Sequence, residues 1–255
     1  MSTGVPVPEF YLDWQFWSAV AAYIALALTL FPKIKMLLIK GKLTIDKHGK
    51  VSVFHGVGTP NLNVFLILRN VGGKSISIQK LEMIVEKADE GSFVLNGDLY
   101  YVNPHDTQST LLTPMRIEVG QEWSHTVQFY LPWERSKEKK YRKIQSKVRD
   151  AISEQVRSNP QRDETELFTA SSEDIDELMS MFDQNFKWTE GEYNIQVVAK
   201  DNEDNILATS KSRFTLFESD SEDLRSWADE YKYGFGICLQ NSYKQAPIQV
   251  TLNKP

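Results

Sequence analysis

The sequence predicts a mainly β domain of antiparallel strands, interrupted by a helical insertion and preceded by one N-terminal transmembrane helix. Three observations predict it. Trp14 to Phe31 runs without a charge. Apolar residues alternate with polar ones over residues 43–131 and again beyond residue 187. Between these stretches, Glu134 to Val156 holds neither Gly nor Pro and repeats its apolar residues at helical spacing.

Residues 14–31 are the expected span. At about 1.5 Å per residue they cover about 27 Å, close to the hydrocarbon thickness of a bilayer. A soluble core helix would carry a polar face, and this run has none. Residues 1–13, the short extracytoplasmic N-terminus, hold no Lys or Arg. The basic juxtamembrane segment 32–42 holds Lys33, Lys35, Lys40 and Lys42, and Lys47 and Lys50 follow. Cations close to a span favour the cytoplasmic side. The expectation is therefore a single-pass protein of the cell membrane, N-terminus out, with its C-terminal domain in the cytoplasm. Tyr11, Trp14 and Trp17 suit the outer headgroup level, and the lysines suit the inner one. Pro32 is expected to mark the inner end of the span. Ser18, Ala22, Ala25 and Thr29 recur at i, i+4, i+7 and i+11, which sets small residues on one face and predicts helix–helix packing there. Ala25-Leu26-Ala27 resembles a signal cleavage site. The preceding residues lack a positive charge and Leu28 to Phe31 prolongs the apolar run, so a retained anchor is expected.

The strands follow in order. Leu43-Thr44-Ile45 and Val51-Ser52-Val53 flank Asp46 to Lys50, which reads as a hairpin turn. Leu62 to Leu68 is nearly all apolar and reads as a strand buried on both faces. Asn70 to Gly73 is a turn, and Ile76, Ile78, Leu81, Met83 and Val85 alternate with polar neighbours. Phe93 to Val102 and Thr110 to Val119 are further strands. Trp123, His125, Val127, Phe129 and Leu131 share one parity, and Pro132 ends the run. Tyr193 to Ala199 and Ile206 to Phe217 flank the polar turn Asp201 to Asn205, and Ile248 to Leu252 closes the chain. Residues 43–131 and 187–255 are thus expected to form one domain.

Residues 132–186 form the helical insertion. Tyr141, Ile144, Val148, Ile152 and Val156 make one apolar stripe. Ser171 caps a second helix with Asp174 reaching back, and Ile175, Leu178, Met179 and Phe182 are its stripe. Ser219 to Glu222 caps a third, short helix. Charge is segregated within the insertion. Lys139, Lys140, Arg142, Lys143 and Lys147 crowd the first helix, and Asp163, Glu164, Glu166, Glu173, Asp174, Asp176, Glu177 and Asp183 crowd the second segment. Either the opposite charges pair as a solvated helical hairpin, or the basic helix is an interaction surface for anionic lipid or a partner.

Leu62 to Val85, and the closing hairpin from Gly191-Glu192-Tyr193 to Leu216, resemble strand pairs of immunoglobulin- or fibronectin-III-like bacterial sandwiches. The resemblance implies an antiparallel sandwich acting as an interaction scaffold, with no active site to carry over. The long insertion departs from that pattern.

Catalytic and ligand motifs are sparse. Gly73-Lys74-Ser75 ends like a phosphate loop, but Leu68 stands where its first Gly belongs and a strand follows. His48, His55, His105 and His125 are scattered, and there is no Cys pair to close a metal site. The Asp201 to Asn205 turn lacks the Gly and distal Glu of a calcium loop. Cys238, the one cysteine, excludes an internal disulfide and reads as a small core residue. The formal net charge of −5 argues against general nucleic-acid binding. The expectation is a non-catalytic protein without cofactor that meets the membrane and a protein partner or a second copy of itself. Two other readings are a sensor or accessory subunit of a membrane system, and an enzyme whose site is assembled from distant residues.

Overall fold

The structure is a computed structural model describing residues 14–38, 40–88, 90–103, 106, 108–163 and 165–254. Side chains of 32–38 fall outside the description, as do residues 1–13, Tyr11 among them, His105 and Glu164.

Helix α1 (Trp14–Leu38) comes first. It runs through Pro32 instead of ending there, so the proline lies inside the helix and the break comes before Gly41. Among the described residues eleven strands follow: β1 (Leu43–Gly56), β2 (Thr59–Asn70), β3 (Ile76–Ile78), β4 (Lys80–Lys87), β5 (Gly91–Tyr101), β6 (Thr110–Leu111), β7 (Met115–Ile117), β8 (Glu122–Tyr130), β9 (Gly191–Lys200), β10 (Ile206–Leu216) and β11 (Ile248–Thr251). Helices α2 (Arg135–Ser158) and α3 (Ser172–Asn185) lie between β8 and β9. Helix α4 (Glu218–Ser226) and a 3₁₀ helix (Trp227–Tyr233) lie between β10 and β11.

The main strands form one antiparallel sheet in the order β10-β9-β4-β5-β8-β2-β1-β11, with β6 beside β5. An Arg213–Asn253 bridge (N···O 3.0 and 2.8 Å) brings β10 against the chain leaving β11. The sheet is therefore nearly closed and barrel-like. The immunoglobulin-like sandwich expected from the alternation is not confirmed. Two layers need an edge on each sheet, whereas here every long strand continues the same circuit. Period-two alternation is common to both arrangements, because either one buries every second side chain.

Three local expectations are corrected. Asp46 to Lys50 is no hairpin turn: β1 runs through it, with an irregularity between Lys47 and Val51. Lys47 pairs with Leu66 and Val51 with Val64, so extra residues on β1 bulge out. The true turn is Val57-Gly58, both at positive φ (49° and 79°). Second, β2 buries one face only: Leu62, Val64, Leu66 and Leu68 are fully buried, while Asn63, Phe65 and Ile67 are half-buried. Third, α4 starts earlier than read, the Asp220 carboxylate accepting the Phe217 N–H (2.9 Å).

The barrel has two distinct ends. The chain enters at Leu43, opposite Asn70 of β2, where the carbonyls of Lys42 and Lys40 accept the N–H groups of Val71 (2.9 Å) and Gly73 (3.2 Å). The other end holds the Val57-Gly58 turn, the exit of β8 into α2, and the exit of β10 into α4. Helices seal that end. Phe182 and Phe186 of the α3 region, Trp188, Leu224 and Trp227 are buried there in one core with the barrel interior. Trp188 is fully buried, and its indole N–H donates to the Phe54 carbonyl (2.7 Å). Twelve residues of β2 separate the two ends. At about 3.3 Å per residue and the usual strand tilt in barrels, that is about 30 Å along the axis.

Candidate functional site

Two surfaces carry features that packing alone does not use: the apolar helix α1 and the helical end of the barrel.

Within α1, Trp14 to Phe31 is long and apolar enough to cross a membrane, with mean hydropathy 1.5 and none of it buried in the protein. Trp14 is 83% exposed, and Trp17 meets Phe16 edge-on at 5.6 Å. The hydroxyls on the small-residue face are satisfied within the helix: Ser18 donates to the Gln15 carbonyl (2.9 Å) and Thr29 to that of Leu26 (2.8 Å). A polar group bonded to its own helix is what hydrocarbon requires. Ala22 and Ala25 lie exposed between them. Of the cations that follow the apolar run, Lys40 and Lys42 are exposed, and the side chains of Lys33 and Lys35 lie outside the described residues. Lys47 is not a free surface cation. Its ammonium is buried without a hydrogen-bond partner, and burial lowers its pKa to about 8.

At the helical end, α2 buries Ile144, Val148 and Ile152. The charges beside that stripe divide in two. Toward α3, Lys147 bonds Asp174 (2.9 Å) and Lys140 lies 3.5 Å from Glu177. Asp174 also accepts from the Ser171 hydroxyl (2.7 Å), so it closes the α3 cap as the spacing predicts. The Lys147 and Ser171 bonds hold its carboxyl below the usual carboxylate range. On the face turned away from the buried stripe, Arg135, Lys139 and Lys143 are exposed and have no ion pair among the described residues. Among the described residues, Arg142 pairs only with Glu138 of its own helix. The acidic arm thus neutralises one side of the basic helix and leaves the other open.

A cleft of about 680 Å³ lies against another face of α2, the one that carries Glu138, Tyr141, Arg142 and Gln145. Its walls are the Val57 turn, the outer faces of β2 and β8, Trp133 and Tyr141, with Arg142 and Glu138 at its rim. Trp133 and Tyr141 meet edge-on at 4.9 Å, and the Trp133 indole N–H donates to the Thr59 hydroxyl. Burial pushes the Tyr141 phenol up to about 12, so it stays a neutral donor at physiological pH. Sequence reading missed this cleft because Trp133, Tyr141 and Val57 lie on three elements, and only the fold joins them. A hollow of similar size lies on the far side of the helical layer, around Tyr233, Tyr243 and a buried Glu230 bonded to Lys244 (3.1 Å).

Buried beneath the cleft region, His55 is held neutral. Its Nε2 donates to the Leu224 carbonyl (2.7 Å), so Nδ1 accepts the Gly58 N–H (3.2 Å). Trp227 (4.8 Å), Phe182 (5.4 Å) and Phe186 (5.8 Å) surround the ring, and this burial lowers its pKa to about 4. His125 lies between Trp123 and Tyr100 with Nδ1 3.1 Å from the Val102 carbonyl. Cys238 is half-buried against the core, and burial raises its thiol pKa. Among the described residues no three His, Cys, Asp or Glu side chains gather as a metal site. The Asp201 carboxylate is taken up by the backbone N–H groups of Glu203 and Asn205 (2.9 Å each), which ties the turn instead of leaving ligands free.

No protein-family model, curated protein or solved structure matches the chain.

Proposed function

We propose that this chain is a non-catalytic, single-pass membrane protein that holds a protein partner at the cytoplasmic face of the cell membrane. The barrel-like domain is the scaffold, and its helical end is the binding surface. The observation that carries the reading is α1: an uncharged, apolar Trp14–Phe31 helix, none of it buried in the protein, leading into the barrel at the end opposite the insertion. In water, so long an exposed apolar helix would be an aggregation hazard, and a bilayer removes it. The cations that follow the span, and their absence from residues 1–13, support an N-terminus outside.

The lipid reading of the basic helix is weaker than the protein reading. Helix α2 leaves the barrel about 30 Å from the end where the chain enters, several Debye lengths from the headgroups. That distance favours an acidic protein surface over the chain's own bilayer as what meets it. The small face of Ser18, Ala22, Ala25 and Thr29 remains the proposed contact should spans associate.

Reconstitution tests the anchor. The full chain should float with liposomes and resist alkaline carbonate, while a chain beginning at Lys42 should stay in the aqueous fraction. A full chain released by carbonate would refute a span.

A further inference from the structure

The end of the barrel that receives α1 carries exposed groups that the fold does not use. Lys40 stands two residues beyond Leu38, where α1 ends. From Lys40 to Lys42 the chain is bonded to the loop that follows β2. The N–H groups of Val71 and Gly73 donate to the carbonyls of Lys42 (2.9 Å) and Lys40 (3.2 Å), and the Gly72 N–H donates to Asn70 Oδ1 (3.0 Å). The buried Asn70 amide donates in turn to the carbonyls of Lys74 (2.8 Å) and Ile117 (3.0 Å). The two segments touch without slack: a Cβ on Gly72 would lie 2.2 Å from the Lys42 nitrogen. With three successive N–H groups spent, Val71 to Gly73 cannot cradle a phosphate through the backbone. What the loop presents is Val71, 50% exposed, and the exposed side chain of Lys74.

The charges near this end are unevenly matched. Asp46 and Glu122 both lie against Arg69 (3.8 and 2.8 Å), and Glu118 against Arg116 (2.9 Å). Farther round the circuit, Asp204 is paired with Lys80 (2.9 Å). Lys40, Lys42 and Lys74 are exposed and have no ion pair among the described residues. The unmatched cations therefore sit on the two bonded segments that also present Val71.

We propose that this loop is a membrane-contact surface, with Val71 at the lipid–water interface and Lys74, beside Lys40 and Lys42, on anionic lipid headgroups. Continuity names the occupant: the segment that leaves the candidate span is bonded to the loop, which sets the loop beside the leaflet that α1 leaves. Charge names its chemistry, since each Lys close to an anionic leaflet adds to the attraction, and that attraction fades within a Debye length, about 8 Å at physiological salt. The loop lies some thirty residues beyond the linker in sequence. It gives the barrel a second foothold besides the tether, so the barrel stands on the membrane with its helical layer outward. The inference rests on the anchor reading above.

Lipid-borne quenchers test it, using full chains in liposomes with Cys238→Ser and a fluorophore on one new cysteine, Val71→Cys or Phe217→Cys. Phe217 is 68% exposed at the helical end and serves as the distant reference. Nitroxide lipids labelled at the headgroup should quench the Val71 label strongly and the Phe217 label hardly at all. The Val71 quenching should be greater in vesicles with about 30% phosphatidylserine than in neutral phosphatidylcholine. Lys74→Glu should lower it at least about twofold in the anionic vesicles, because it removes a cation and adds a repelled carboxylate. Lys74 makes no side-chain bond among the described residues, so its reversal should leave the circular dichroism of the domain unchanged. Equal quenching at the two positions overturns the proposal, and so does Val71 quenching that ignores both lipid charge and Lys74→Glu, since a tether alone would then account for it. Flotation of the same samples separates the two readings. A chain that floats with an unquenched Val71 label fails here only; a chain that does not float fails the membrane reading, and this proposal with it.

Discussion

His55 shows how one side chain ties the barrel to its helical cap. Both ring nitrogens are satisfied only in the neutral form: Nε2 donates to Leu224 of α4, and Nδ1 accepts from Gly58 in the β1–β2 turn. A second ring proton would face the Gly58 N–H, and Arg225 over the Phe186 ring (4.5 Å) adds further positive charge to the cluster. The folded pKa, near 4, lies below the unfolded value near 6.5. The stability this contributes is therefore complete above pH 6.5 and is lost as pH falls toward 4, by about 3 kcal/mol in all. Urea unfolding of the domain should show that loss between pH 6.5 and 4.5. His55→Gln should be less stable at pH 7.5 but nearly flat across the same interval. A wild-type profile as flat as that of the variant would contradict the account. The Asp174 and Asp204 carboxyls, held low by Lys147 and Lys80, lose their contribution only at lower pH, so the windows separate.

Among the elements, the β1–β2 hairpin and α3 depend on each other. Gly58 sits at φ +79°, and a Cβ there would lie 2.4 Å from the Phe182 carbonyl oxygen. Asn185 of α3 donates to the Val57 carbonyl (3.2 Å), and Val57 itself is buried at a positive φ that a β-branched residue adopts only under constraint. Helix α3 therefore locks the turn, and the turn seats α3. Gly58→Ala should cost more than about 2 kcal/mol, because backbone on α3 must move. Gly91→Ala, at φ +89° with nothing near its Cβ, should cost only about 1 kcal/mol. Equal costs in denaturant titration would mean that the turn and α3 are not locked. This hairpin was also where the sequence was least legible. Asp46 to Lys50 has turn residues, and Val57-Gly58 hides between strand-like neighbours, so local propensity pointed to the wrong turn. The helices were easier to read. The Ile144, Val148, Ile152 stripe and the Ser171–Asp174 cap are set by neighbours within one or two turns, and both stand as expected.

For the whole molecule, alternation in the sequence specified which side chains go inward but not how the sheet closes. Tyr193, Ile195 and Val197 would be buried in a sandwich as well as in this barrel. Closure rests on pairings such as Arg213 with Asn253, forty residues apart in sequence and without a motif. The cleft was hidden for the same reason, whereas the apolar run of α1 was plain because it is contiguous. The resulting layout sets the candidate span α1 at one end of the barrel and the charged helical layer at the other. In the function proposed above, this layer works in the cytoplasm, displayed away from the membrane. The most direct measurement is the compartment of the C-terminus, read with reporters fused after Pro255. A reporter active only in the cytoplasm should be active, and one active only after export should be silent. Activity from the exported reporter alone would contradict the orientation and move the barrel, with its proposed partners, to the other side of the membrane.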